Sequence, residues 1–473
     1  MTHADRSAPA VPAQLLDALR TAIGPAQVRT GAQLQGMDAG WHPGNLAAGV
    51  VVLPASTDQV AQVVRLCRQH HVPIVPQGGR TGLVGGALSR PGEVVLALTQ
   101  MQAIEQLDAV GRVALVQGGC TLQALQEAAA PYRLEPGIDI PARGSATIAG
   151  MVSTNAGGIM AFRNGVMRHR VLGLEAVLPD GSVYSDLTQV VKNSAGYDLK
   201  QLLIGAEGSL GIVTRVALKL DALPAASATA LFGLPSVQAA LDGTRWAMDI
   251  DSGHLRAAEA MWQRYIQLTA KAHNWREPGM ALDQPIYLLL ALGGANEQAM
   301  HDGLQALFAQ IVERYPQATG VIAGSRRQER ALWLLREDTD SLYRVHPHAP
   351  SYDVSVPLSR LAAYLEDVLA GLARMAPTLQ PYVFGHLADG NLHIILNHAG
   401  ALAPDLSARV QAVLYDPLRA LGGSFSAEHG VGSQRIGAML DTLDPVKLAT
   451  MARIKLLLDP ERLLNPGKVL PAD

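Results

Sequence analysis

Two histidines stand seven residues apart across an Asp-Gly turn signal, in Phe384-Gly385-His386-Leu387-Ala388-Asp389-Gly390-Asn391-Leu392-His393. A carboxylate follows in Ser426-Ala427-Glu428-His429-Gly430. Neutral imidazole and carboxylate suit Zn²⁺, Mn²⁺ or Fe²⁺, and three protein ligands leave positions open for a substrate. His386, His393 and Glu428 are therefore candidate metal ligands. Asp389 reads as a turn residue, because Asp-Gly is a turn dipeptide. His429 is the candidate general base, since imidazole is the side chain that ordinarily exchanges protons near neutral pH. Asn391 is placed to hydrogen-bond a substrate carboxylate.

The elements that must position these groups follow from hydrophobic periodicity. Gly49–Pro54 reads as a buried strand, Ser56 or Thr57 caps a helix with Val60, Val63, Val64 and Cys67 on one face, and Val72–Pro76 returns as a strand. Further strands are expected at Val94–Leu98, Arg112–Gln117 and Gly211–Leu220, with a helix capped by Thr121. Pro179-Asp180-Gly181 joins a hairpin. Alanine and proline cluster at Asp221–Ala228, which marks a boundary. Beyond it come strands near Ala230–Phe232, Ile286–Leu292, Val321–Ala323, Tyr352–Val356, Tyr382–Phe384 and Leu392–Leu396. Helices are expected from Ser236, Glu297 and Leu358, with a long one from Arg327 to Tyr343. This order predicts an α+β domain with an antiparallel sheet and helices over one face.

Composition sets the outer limits. A chain of 473 residues is too long for one core, and 48% hydrophobic with 17% charged residues is a globular balance. A net charge of -3 gives no bulk attraction to nucleic acid, and no apolar run approaches a membrane span. Cys67 and Cys120 are the only cysteines. They make no disulfide framework, and a cytoplasmic location is the simplest expectation.

Gln77–Gly86 holds five glycines in ten residues. Free amides in such a loop form an anion nest suited to a pyrophosphate. Gly144–Gly158 and Gly205–Gly211 are two more small-residue loops, and none has the Gly-x-Gly-x-x-Gly helix fingerprint of nicotinamide folds. Three such loops in one region favour a long anionic cofactor.

The order Pro-x-Gly-Gly-x-Thr-Gly-x-x-Gly-Gly, Thr-Asn-Ala-Gly-Gly, Gly-x-Glu-Gly-Ser-Leu-Gly-Ile-Val-Thr resembles the flavin domain of the vanillyl-alcohol oxidase superfamily. The histidine motif and the ending Leu458-Asp459-Pro460-Glu461-Arg462-Leu463-Leu464-Asn465-Pro466-Gly467-Lys468 narrow this. They resemble FAD-dependent D-2-hydroxyacid dehydrogenases, the group of D-2-hydroxyglutarate and D-lactate dehydrogenases. The resemblance implies a two-subdomain FAD-binding domain over 1–221, an α+β cap over 222–425, and a C-terminal segment, 426–473, that completes the site, with catalysis where the domains meet. Pro76, Gly78, Gly79, Arg80, Thr81, Gly82, Leu83 and Gly85 would line the FAD pyrophosphate. Gly144, Ser145, Gly150, Thr154, Asn155 and Gly157 would hold the adenylate and ribityl side. Glu207, Gly208, Gly211, Ile212 and Val213 would complete the cofactor site. Arg80 stands in the first loop, where covalently flavinylated relatives carry histidine, so FAD is expected to be non-covalent.

His386, His393 and Glu428 match the family's metal ligands, with zinc the expected ion and Mn or Fe the alternatives. A D-2-hydroxy acid would chelate the cation, His429 would take the hydroxyl proton, and hydride would pass to flavin N5. Arg336, in Trp333-Leu334-Leu335-Arg336-Glu337, matches the arginine that holds the substrate carboxylate. A surface pair with Asp340 is the alternative reading. Hydroxyglutarate-type members carry threonine and lysine where this chain has Asp340 and Ser351. They also commonly show Gly and Asn where it has Ala149 and Met151, methionine being seen in lactate-type members. The electron acceptor (quinone, electron-transfer flavoprotein or cytochrome) and a homodimer stay open. An oxidase passing electrons to O₂, a metallohydrolase with a phosphorylated substrate, and a non-catalytic flavin-binding or electron-transfer subunit are the rival functions.

Overall fold

The computed structural model describes residues 10–472. They form two units, one of residues up to 157, 164–222 and from 428, the other of residues 158–163 and 223–427.

In the first unit the helix Thr57–Gln69 starts where Ser56 Oγ accepts the Gln59 amide at 3.2 Å, and it buries Val60, Val63, Val64 and Cys67. The strands Val50–Val52 and Ile74–Gln77 flank Val94–Ala97 in parallel, and Val28–Thr30 adds an antiparallel edge. Strands buried on both sides read as unbroken apolar runs, as Val50-Val51-Val52 and Val94-Val95-Leu96 do. A second, antiparallel sheet runs Ile104–Asp108, Val113–Gln117, Ile212–Lys219, Val171–Val177, Val183–Asp186, and its last pair is the expected hairpin. Cys67 is fully buried in this core, and burial pushes its thiol up to about 12, so it packs as a neutral hydrophobe. Cys120 behaves alike, pushed up to about 11.

The ending Leu458–Lys468 has a mechanical role. Asp459 accepts the Leu463 and Leu464 amides at 2.9 Å each, which turns the chain sharply. Leu463 O and the Asn465 amide then bond Ile74 at 2.8 Å each, beside the strand that leads into the first glycine loop.

The second unit is built on a seven-stranded antiparallel sheet. Its order is Thr319–Ile322, Ala226–Leu234, Ile286–Gly294, His254–Trp262, Tyr382–His386, Asn391–Ile395, Ser351–Ser355. Helices cover both faces, not one as expected. Register puts Phe232, Leu288 and Ala260 on one face, where Phe232 stacks on Phe308 of the helix Glu297–Arg314. It puts Tyr287, Met261 and Phe384 on the other, beneath Tyr265 of the helix Gln263–Ala272 and Leu332 and Leu335 of the helix Arg326–Glu337. Alternation along each strand makes both faces apolar, so both need cover.

Two local expectations are corrected. The strand His254–Trp262 was not foreseen, because Leu255-Arg256-Ala257-Ala258-Glu259-Ala260 has no clear alternation. The expected helix from Arg327 to Tyr343 is two, Arg326–Glu337 and Asp340–Val345. Asp338 breaks it: its carboxylate accepts the Ser341 amide at 3.2 Å and lies 2.7 Å from His273 Nε2. Among the described residues no helix is long and apolar enough to cross a membrane.

Candidate functional site

The chemistry-bearing side chains of the second unit share one sheet face. Glu259 is paired across strands with His386, and His386 with Asn391. Asp353 is paired with His393, and His393 with Phe384. Members of each strand differ by two positions, so all six project to the same side. The turn at Asp389-Gly390 makes this possible, with Gly390 at φ +77° and Asp389 Oδ1 accepting the Asn391 amide at 3.2 Å. The rings of His386 and His393 lie edge to face, centroids 5.5 Å apart.

Both histidines face a carboxylate that is 0% exposed. Glu259 Oε1 lies 2.7 Å from His386 Nδ1, and Asp353 Oδ1 lies 3.7 Å from His393 Nδ1. A buried carboxylate must be paired or hydrogen-bonded. Glu259 Oε2 meets Arg336 Nη2 at 2.7 Å. Asp353 accepts Asn391 Nδ2 at 2.7 Å and the Ala427 amide at 3.1 Å. The Ala427 bond and the Ser424–Ser355 backbone pair fix the end of this segment against the strand Ser351–Ser355. Asp353, His393, Glu428 and His429 each offer a ligand atom, all within 4.8 Å of one another; of the three expected ligands this group holds His393 and Glu428 but not His386, and it adds Asp353 and the expected base His429. Imidazoles and carboxylates drawn together in a half-buried place fit a divalent cation of the zinc, manganese or iron kind.

The structure sorts the remaining sequence candidates. Arg336 is 5% exposed, held by Glu259 and 4.8 Å above the Phe384 ring, so the surface pair with Asp340 does not form. Its Nε is buried with no hydrogen-bond partner among the described residues. Asn391 spends both amide hydrogens on Asp353 and on Val354 O, at 2.7 and 3.0 Å. Its amide nitrogen is therefore a positioning group, not a donor to substrate as expected. His429 Nδ1 lies 3.5 Å from Arg435 Nη2. Glu259 and Asp353 were missed. A carboxylate inside an apolar strand, as in Tyr352-Asp353-Val354, is the signal that could have found them.

In the first unit the three glycine loops pack on one another. A Cβ on Gly78 would stand 2.1 Å from Thr147 Oγ1, and one on Gly79 only 1.9 Å from Ser145 O. The amides of Gly205 and Glu207 reach Val152 O and Ser153 O at 3.0 and 2.8 Å. Thr81, Gly82, Leu83, Gly144 and Ser145 stay partly or fully exposed, and a Cβ on Gly82 would meet nothing within 4 Å. A close-packed glycine base with an open rim fits an elongated cofactor laid along backbone amides.

Several of the residues expected to line the cofactor also build this base. Arg80, at φ +55°, donates to Gln77 Oε1 at 2.6 Å and Asp38 O at 3.0 Å. The Thr154 hydroxyl donates to Gly150 O at 3.1 Å, and Asn155 Oδ1 accepts the Arg168 amide at 2.9 Å. Glu207 accepts the Val431 and Gly432 amides at 2.7 and 2.9 Å, although burial raises its carboxyl above the usual range. Ile212 and Val213 are core side chains, 1% and 2% exposed. Ala149 and Met151 are equally buried, 3% each, and so speak to packing and not to substrate. Pro76, Gly85, Gly150, Gly157, Gly208 and Gly211 lie within the loops and their flanks, and Pro76 is in contact range of a Cβ on Gly208.

Comparison with known proteins meets this geometry. Residues 48–186 match the FAD binding domain, and residues 223–469 match the C-terminal domain of FAD linked oxidases. The chain is 37% identical over 439 residues to a D-2-hydroxyglutarate dehydrogenase of Xanthomonas citri pv. viticola, covering 91% of this chain and 90% of that protein. This chain belongs to the FAD-dependent D-2-hydroxyacid dehydrogenase family. As a family member it is an FAD oxidoreductase. The mitochondrial D-2-hydroxyglutarate dehydrogenase of Bos taurus is 33% identical, covering 89% of this chain and 77% of that one. That of Stutzerimonas stutzeri is 31% identical, covering 97% and 99%. The family fold extends to solved structures of a 4-ethylphenol oxidase from Gulosibacter chungangensis and of p-cresol methylhydroxylase. Each has a TM-score of 0.73, at 18% and 20% identity, covering 98% and 97% of this chain and the same shares of those chains.

Proposed function

We propose that this flavoprotein is a dehydrogenase that oxidises a D-2-hydroxy acid to the 2-oxo acid, with 2-hydroxyglutarate, the substrate named for its relatives, as the first candidate. The carrying observation is the sheet face on which two imidazoles, each against a buried carboxylate, stand beside an arginine held by one of those carboxylates. Bound FAD would supply the hydride acceptor, and a bound divalent cation, zinc first, would supply Lewis acidity toward the substrate hydroxyl. His386, His393 and Glu428 would hold the cation, with Asp353 beside them. His429 would take the hydroxyl proton. Arg336, held on Nη2 by Glu259, would bind the substrate carboxylate, a group that a guanidinium matches in fork geometry. The glycine loops would hold FAD without a covalent bond, since Arg80 occupies the first loop and turns inward.

The test is anaerobic mixing of the purified flavoprotein with D- and L-2-hydroxy acids. Loss of the oxidised-flavin absorbance with the D-acids, and slow recovery on admitting air, is the expected result. Fast reoxidation with peroxide would make it an oxidase. A flavin that no 2-hydroxy acid reduces would end the proposal.

A second expectation concerns Arg336→Lys, which keeps the charge facing Glu259 and loses the fork. Hydrogen bonds to charged groups contribute ~1.5–3 kcal/mol, so kcat/KM falls about 10- to 100-fold with the flavin spectrum unchanged. An unchanged kcat/KM would leave Arg336 with only its structural role beside Glu259.

A further inference from the structure

We infer that Glu259 is a positioning residue shared by His386, proposed above as a metal ligand, and Arg336, proposed above to hold the substrate carboxylate. The inference rests on the function proposed above and adds a device to it. Glu259 sits at the centre of the sheet, 0% exposed, on a strand flanked by Ala258 and Ala260. Its two oxygens have different tasks. Oε1 lies 2.7 Å from His386 Nδ1 and Oε2 lies 2.7 Å from Arg336 Nη2.

A carboxylate oxygen can only accept, so a neutral His386 must carry its proton on Nδ1 to complete that contact. The lone pair is then on Nε2, the nitrogen that can take a cation. Carboxylates in this position fix the tautomer and ring orientation of metal-ligating histidines. The direct cross-strand pairing of Glu259 with His386 sets the distance by backbone register, not by a flexible loop. The same carboxylate stops the guanidinium from rotating, with the Phe384 ring beneath it and Tyr265 donating to the Arg336 carbonyl at 2.9 Å. One buried side chain thereby ties the orientation of a metal ligand to that of a substrate-binding group.

Glu259→Gln separates the two tasks. An amide offers one acceptor and one donor group, so it satisfies His386 or Arg336 and faces the other with like polarity. The experiment uses full-length flavin-loaded protein, stripped by chelator and titrated with Zn²⁺ against a chromophoric competitor. Wild-type protein is expected to bind zinc, and the variant to bind it about 10- to 100-fold more weakly. Equal affinities would overturn the role of Glu259 and leave the metal reading standing. A wild-type protein that takes up no zinc would overturn the metal reading and this one with it. Glu259→Gln alone leaves the Arg336 charge buried and unpaired, which can unfold the unit. The neutral double variant Glu259→Gln with Arg336→Met avoids that cost and is expected to show the same loss of zinc affinity. A readout that needs no variant is the ¹⁵N spectrum of histidine-labelled, metal-free protein, with His386 assigned through His386→Gln. A proton on Nδ1 is expected, and one on Nε2 would overturn the inference.

Discussion

His386→Ala removes turnover with 2-hydroxy acids, by about 10³-fold or more, while FAD stays bound. The size follows from the several kcal/mol that a Lewis-acid site contributes to charge stabilisation in the transition state, each 1.36 kcal/mol being tenfold in rate. The change deletes an imidazole 6% exposed, and it also removes the 2.7 Å contact of Glu259 Oε1. Flavin binding is spared because the glycine loops belong to a separate unit with its own sheets. Steady-state rates, metal content and flavin absorbance check the three parts. Full turnover in metal-free His386→Ala would remove the metal from the mechanism.

Gly79→Ala disrupts the flavin base. The backbone φ at Gly79 is not in the left-handed region, so the obstacle is space alone. The new methyl would stand 1.9 Å from Ser145 O, 2.7 Å from its carbonyl carbon and 3.1 Å from the Ala146 Cα. All three are backbone atoms or bound tightly to it, so the second loop must move away. Overpacking of this kind costs about 1–3 kcal/mol or more, and here it separates two loops that form one binding surface. Lower thermal stability of the apoprotein and loss of flavin on gel filtration are the expected results. Gly82→Ala is the control, because its Cβ would meet no protein atom within 4 Å. It is expected to leave apoprotein stability unchanged within about 0.5 kcal/mol and to weaken FAD binding alone. Equal stability and equal flavin retention in Gly79→Ala would mean that the loops do not pack as described.

The sequence alone determined the types of group and their order along the chain. The Asp-Gly turn between His386 and His393 was legible because a tight turn needs a residue at positive φ, and Gly390 supplies it at +77°. The glycine loops were legible for the same kind of reason, since close backbone approach tolerates no side chain. The helix caps at Ser56 and Thr121 were legible because capping is local chemistry. Tertiary structure alone decided which carboxylates meet those histidines. Glu259 lies 127 positions from His386 and Asp353 forty from His393, and only sheet register joins them. Register also turned Asn391 toward Asp353, and the packing of the helix Arg326–Glu337 against the same face drew Arg336 inward to Glu259. A strand's own pattern says which residues share a face, but not which strand lies beside it, and here the neighbouring strand carries the charge.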